Sequence, residues 1–179
     1  MCLSRYIVVT IVFFLLGGLN LVLAQPADYP TPAGNPNQLF YMQRTLNKNT
    51  IVYELNYKNG QFNKEDPVHV YWIRYQEKGQ KAELSFVQRK FAFGIKSKKT
   101  AENQYELSLI SQKHFKMYLQ KGADGKFHVY TLINKKMLIL TKMYIHMIGG
   151  ALWSPNVEYA EITGIEPVSG QEVKEKIKM

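Results

Sequence analysis

The sequence predicts an all-β domain, mainly antiparallel, built as a β-sandwich or a partly closed β-barrel of about eight or nine strands with one short helix. Three observations carry that expectation. From Leu39 onward polar and apolar residues alternate, and β-branched and aromatic side chains dominate over the three-and-four apolar spacing of helices. Clusters of Asn, Asp, Gly and Pro divide the alternating runs. Helical stretches are too few and too short to supply the crossovers between parallel strands that an α/β fold requires.

The chain begins with a lone Arg5, an apolar run from Tyr6 to Leu16, and Val22-Leu23-Ala24 before Gln25, the layout of a secretory signal peptide over residues 1–24. A membrane anchor is the competing reading, because the apolar stretch continues to Leu23. Gly17, Gly18 and Asn20 break it where a leader bends towards its cleavage site, and no stop-transfer charge closely follows Ala24. The expectation is export to the periplasm or the outside of the cell after cleavage near Ala24. Cutting there takes 24 of the 179 residues and leaves 155, a usual size for one domain. It also removes Cys2, the single cysteine, so the remaining chain has no disulfide and no thiolate chemistry. Residues 25–37, with Pro26, Pro30, Pro32, Pro36 and Gly34, read as a Pro-rich linker that stays extended and holds the folded body at a distance. Residues 38–179 then form a single β domain.

Strands are expected at Leu39–Arg44, Thr50–Tyr57, Val68–Tyr75, Gln104–Ser111, Phe115–Gln120, Phe127–Ile133, Met137–Met147 and Val157–Ile165. Asn47-Lys48-Asn49, Asn59-Gly60, Ala123-Asp124-Gly125 and Pro167-Val168-Ser169-Gly170 supply the turns, and Lys135-Lys136 falls at a turn tip. One hairpin is specified in register. With Gly125 left-handed at the end of a three-residue loop, Gly122 faces Lys126, Leu119 meets Val129, and Met117 meets Thr131 on one face. Tyr118–Tyr130 and Gln120–His128 then pair on the other face. Ala82–Lys90 breaks the pattern with Leu84, Val87 and Phe91 at helical spacing, predicting a short helix that plugs the sheet; Phe91-Ala92-Phe93 would alternatively suit a surface strand. Met137–Met147 is apolar on nearly both faces, which predicts a central strand buried on both sides. Its methionines suit core packing, or a methionine-lined ligand pocket or soft-metal site.

The formal charge of +9, falling to +8 without Arg5, is an excess of lysine. Arg89, Lys90, Lys96, Lys98 and Lys99 crowd one stretch, where they would keep sheet edges from aggregating or make peripheral contact with anionic surfaces. Export argues against a nucleic-acid partner. The sequence has no Gly-x-Ser-x-Gly elbow, His-Glu-x-x-His, Walker loop or dinucleotide fingerprint, and no cofactor is expected. His69, His114, His128 and His146 never fall at metal-ligand spacing, so no metal site and no catalytic residue is assigned.

The candidate binding residues are Tyr41, Arg44, His69, Trp72, Arg74 and Arg89. Guanidinium groups beside aromatic rings stack on them and fork onto carboxylates, while the rings supply rigid contact area. The structural alternative is that the rings are core and that Arg74 pairs with a glutamate such as Glu54.

The segments Leu39–Arg44, Asn49–Asn56, Pro67–Tyr75 and Leu84–Gly94 resemble an uncharacterised family of small exported bacterial proteins, the domain of unknown function 4833. The resemblance runs from about Asn37 to Ile177 and implies bacterial export and a single domain; it assigns no reaction. Three function classes follow. The first is an exported β-module binding a small apolar ligand, a glycan or an envelope protein. The second is a hydrolase-type enzyme with a site built from His69, Asp66 and Glu77. The third is a structural envelope component held by its lysines. An apolar cavity would favour the first.

Overall fold

The computed structural model describes residues 29–151 and 154–178. The signal-peptide reading of residues 1–24, and the start of the Pro-rich linker, lie outside the described residues. Among those described, the strands are β1 (Gln38–Arg44), β2 (Asn47–Leu55), β3 (Tyr57–Lys58), β4 (Gln61–Phe62), β5 (Val68–Ile73), β6 (Lys81–Glu83) and β7 (Ile95–Ala101). They continue with β8 (Gln104–Leu109), β9 (Lys116–Lys121), β10 (Phe127–Ile133), β11 (Lys136–Ala151), β12 (Ser154–Ile165) and β13 (Glu172–Lys178). A short helix α1 (Phe86–Gln88) runs into a π-helical turn at Arg89–Phe93.

Nine strands form one curled sheet in the order β6-β5-β2-β1-β11-β10-β9-β8-β7, a half-barrel, and β12 and β13 extend it from β11. The long strand β11 is the junction. Its start pairs with β10, its middle pairs with β1 in a parallel ladder, and β12 follows it from Ile139 to Ala151. All other ladders among the described strands are antiparallel. The inner row Met42–Ile51–Trp72–Ala82 and the outer row Tyr41–Val52–Tyr71–Glu83 follow from the strand period of two. One apolar cluster joins the inner faces of both arms, from Phe40, Ile51 and Trp72 on one side to Leu107, Leu119 and Val129 on the other.

Two contacts fasten the arms. The fully buried Tyr53 hydroxyl donates to the Phe93 carbonyl at 3.0 Å. At one end of the half-barrel, Phe62 of the β3–β4 hairpin packs on Tyr105 and on Phe127, ring centroids 6.2 and 4.9 Å apart. The opposite end, where Arg44 closes β1 and Leu109 closes β8, is open.

The β9–β10 hairpin has the expected register: Gly122 N–H donates to the Lys126 carbonyl, Leu119 faces Val129, and Gly125 is left-handed at φ 74°. Asn59-Gly60 and Asn134-Lys135 are turns with both residues at positive φ, the twist-matched kind for tight hairpins. Elsewhere the structure corrects the expectation. Asn47–Asn49 lies inside β2; the chain reverses one step earlier at Thr45-Leu46, with Leu46 at φ 64°. The Ala82–Lys90 helix is cut short because Lys81–Glu83 pairs with β5 and consumes its first turn. What remains is capped by Ser85 and Gln88 in a reciprocal box, and the π turn rotates Phe93 inwards while Val87 and Phe91 stay exposed. Phe91-Ala92-Phe93 is accordingly not a strand. Strand β11 buries Leu138, Leu140 and Met143 but leaves Met137 exposed, so it is central without being buried on both sides. The edge strands β7 and β13 and the β3–β4 hairpin complete the set.

Over residues 29–37 the Pro-rich segment does not stand clear of the body. Tyr29 packs edge-on against Tyr144, Gln43 Nε2 donates to the Pro30 carbonyl at 2.9 Å, and the Tyr75 hydroxyl donates to that of Thr31. Pro32 is buried, and Asn35 donates to Glu54. These residues cover the outer face of β1, β2 and β5, which is why Gln43 on that face is fully buried.

Candidate functional site

The open end of the half-barrel encloses a cavity of about 1000 Å³. Met42 and Arg44 of β1, Met143, Ile145 and Met147 of β11, and Ala160 and Ile162 of β12 form one wall; Phe91–Phe93, Leu109 and Phe115 form the other. Its size lies at the top of the ~300–1,000 Å³ range for small-molecule sites. Alternation explains the lining. Met42 and Met143 are register partners, so inward-facing positions of adjacent strands fall side by side. Thr45 holds this rim rigid: its N–H donates to the Ile145 carbonyl at 3.0 Å and its hydroxyl to that of Met147 at 2.9 Å.

Arg44 is the charged group in this wall. Its guanidinium lies 5.8 Å from the Trp72 ring centroid and 5.5 Å from that of Phe93, a two-ring shelf of the cation–π kind. Its Nε is sealed from solvent with no hydrogen-bond partner, and no carboxylate pairs with it among the described residues. Burial pushes its pKa down from the ordinary arginine value, yet an arginine stays charged at any physiological pH.

The other candidate binding residues are not gathered here. Trp72 is 5% exposed and belongs to the core, donating its indole N–H to Gln88 Oε1 at 3.3 Å. It serves the site as the shelf beneath Arg44. Tyr41 and His69 point to the opposite, outer face of the sheet. Arg74 pairs with Glu77 at 3.1 Å rather than with Glu54, and Arg89 pairs with Glu83 at 3.4 Å.

On the outer face His69 sits between two carboxylates, Nδ1 3.0 Å from Glu54 and Nε2 3.1 Å from Glu83. Burial pushes the Glu54 carboxyl up, but its hydrogen bonds and ion pairs with His69 and Lys81 outweigh this and hold it below the usual range. Both ring nitrogens face carboxylates, so neither is aimed at a nucleophile. Asp66 instead accepts from Asn56, and Glu77 from Arg74 and Gln80, so the three-residue site imagined from His69, Asp66 and Glu77 is not assembled. Among the described residues no group of three or more His, Cys, Asp or Glu side chains is arranged for a metal ion.

Sequence reasoning reached Arg44 through its aromatic company and Met143 and Met147 through the methionine-rich strand. It missed Met42, Ala160 and Ile162, and it saw Phe93 among the aromatic residues near Arg89 without the turn that brings Phe91–Phe93 into the cavity wall. Their convergence depends on how far the sheet curls, and no local spacing encodes that.

A family model described as a domain of unknown function (DUF4833) matches residues 40–176. No curated protein and no solved structure matches the chain.

Proposed function

The chain belongs to the DUF4833 family, and on that premise we propose that it is a binding module that holds a small apolar molecule in the cavity at the open end of its half-barrel. The observation that carries this reading is the cavity itself: about 1000 Å³, with Met, Ile, Phe and Ala side chains in its walls beside polar residues such as Asn47, Gln112 and His114, in a domain whose other end is closed by Phe62. A space of that size and lining favours an apolar occupant over water, because apolar surface gains by leaving water. The outer-face cluster around His69 is satisfied internally by Glu54 and Glu83.

Fluorescence titration with the neutral dye Nile red tests the proposal. Saturable binding at one site, lost when Ala160→Trp fills the cavity, is the expected result; no binding by the unsubstituted protein would refute it. We further propose that the module works outside the cytoplasm, which the leader-like composition of residues 1–24 supports. Mass spectrometry of the protein recovered from its own cells should find a chain beginning at Gln25; an uncut chain beginning at Met1 would contradict export by cleavage.

A further inference from the structure

Resting on the binding module proposed above, we infer that its ligand is an anionic amphiphile, an acyl chain with a carboxylate or phosphate head, and that Arg44 binds the head while the chain lies among Met143, Ile145 and Ile162.

The argument starts from charge. Among the described residues that line the cavity none is acidic, and Arg44 is the one with a fixed charge, so the interior is positive and unopposed. Arg44 is half-buried, and shutting its Nε away from water without an anion is costly; folded proteins resolve such a cost by pairing the group. Arg74 and Arg89 pair with Glu77 and Glu83 although their side chains are exposed, whereas the more buried Arg44 pairs with no carboxylate among the described residues. The aromatic rings of Trp72 and Phe93 steady the cation but accept no N–H hydrogen bond of ordinary strength. A planar fork with unused donors matches the two oxygens of a carboxylate or phosphate. An apolar tail attached to that anion would leave water for the same cavity, so one molecule answers both the unpaired charge and the apolar walls. A neutral hydrocarbon would answer only the second, and a small inorganic anion only the first.

The test is displacement of Nile red by three competitors sharing one chain: oleate, oleyl alcohol and oleoyl lysophosphatidate. We expect at least one anionic competitor to displace the dye at about tenfold or more lower concentration than the alcohol. Whichever of the two acts at the lower concentration identifies the head as carboxylate or phosphate. In Arg44→Met, with folding checked by circular dichroism, the gap between anion and alcohol should close. In Arg44→Lys, which keeps the charge and loses the fork, it should narrow. Equal displacement by acid and alcohol in the unsubstituted protein, or a gap that survives Arg44→Met, would overturn the inference while leaving the apolar module standing. Failure of Nile red itself to bind would instead refute the module.

Discussion

Replacing Tyr53 by Phe removes one oxygen from the middle of the protein and nothing else. The ring keeps its stack on Phe40, centroids 4.2 Å apart and planes 9° from parallel, and the position is 0% exposed, so no solvent contact changes. Only the hydroxyl's hydrogen bond to the Phe93 carbonyl at 3.0 Å disappears. Burial keeps that hydroxyl neutral, pushing its pKa well above the ordinary tyrosine value, so it donates at every pH at which the protein is folded. A buried carbonyl stripped of its donor costs about 1–3 kcal/mol. Taken at about 2 kcal/mol, and with about 2–4 °C of melting temperature per kcal/mol for a domain of this size, Tyr53→Phe should melt about 4–8 °C lower. Urea unfolding followed by tryptophan fluorescence measures the same loss, and Trp72 reports locally because its ring lies 5.1 Å from Phe93. Since Phe93 is also part of Arg44's shelf, weaker ligand binding should accompany the loss of stability. A stability within about 0.3 kcal/mol of the unsubstituted protein would refute the idea that this bond joins the two arms.

Gly94→Ala should cost stability near the top of the ~1–3 kcal/mol range for overpacking, because a Cβ there would clash with the Arg89 carbonyl oxygen; an unchanged urea midpoint would contradict the close approach. In alkali the buried tyrosines should drain stability. Burial, then the Glu54 charge, pushes Tyr71 up to about 12 from 10.0, so the unfolded chain ionises first. That contribution is complete below pH 10 and is lost as pH rises towards 12, visible as a falling urea midpoint; all tyrosines ionising near pH 10 in a folded protein would argue against it. In acid, hydrogen bonds from Lys64 and Lys99 hold the Glu102 carboxyl at about 2, below its ordinary 4.5. What the pair adds is present above pH 4.5 and fades as pH falls through 2. A carbon-13 carboxyl titration should find that low midpoint, moving up in high salt because the group is exposed; a midpoint near 4.5 at low salt would contradict the pairing.

The elements that could be read in advance are those whose residues face both a partner strand and the core. Leu119, Val129 and Thr131 alternate with Tyr118, Gln120 and His128, and only one register of the β9–β10 hairpin places them sensibly. Strand β7 was illegible for the opposite reason: Lys96, Lys98 and Lys99 lie on an edge with little to bury, so no apolar period marks it. The same holds for β13, where Glu172, Lys174, Glu175, Lys176 and Lys178 surround just two partly buried apolar side chains, Val173 and Ile177. The helix was overread because Leu84, Val87 and Phe91 match a helical stripe, yet pairing of Lys81–Glu83 with β5 wins the first turn. As for the site, strand parity separates Arg44 from Tyr41 and His69, whereas the contact of Arg44 with Phe93 is a product of the curl between distant arms.

Methionine methyl groups offer the most direct test of the cavity as the binding site. Carbon-13 methyl spectra of the labelled protein, recorded during titration with oleate, should show shifts at Met42, Met143 and Met147, which line the cavity, and none at the buried Met117 or the exposed Met137. Silent cavity methyls with a bound ligand, or shifts led by Met117 or Met137, would contradict the account.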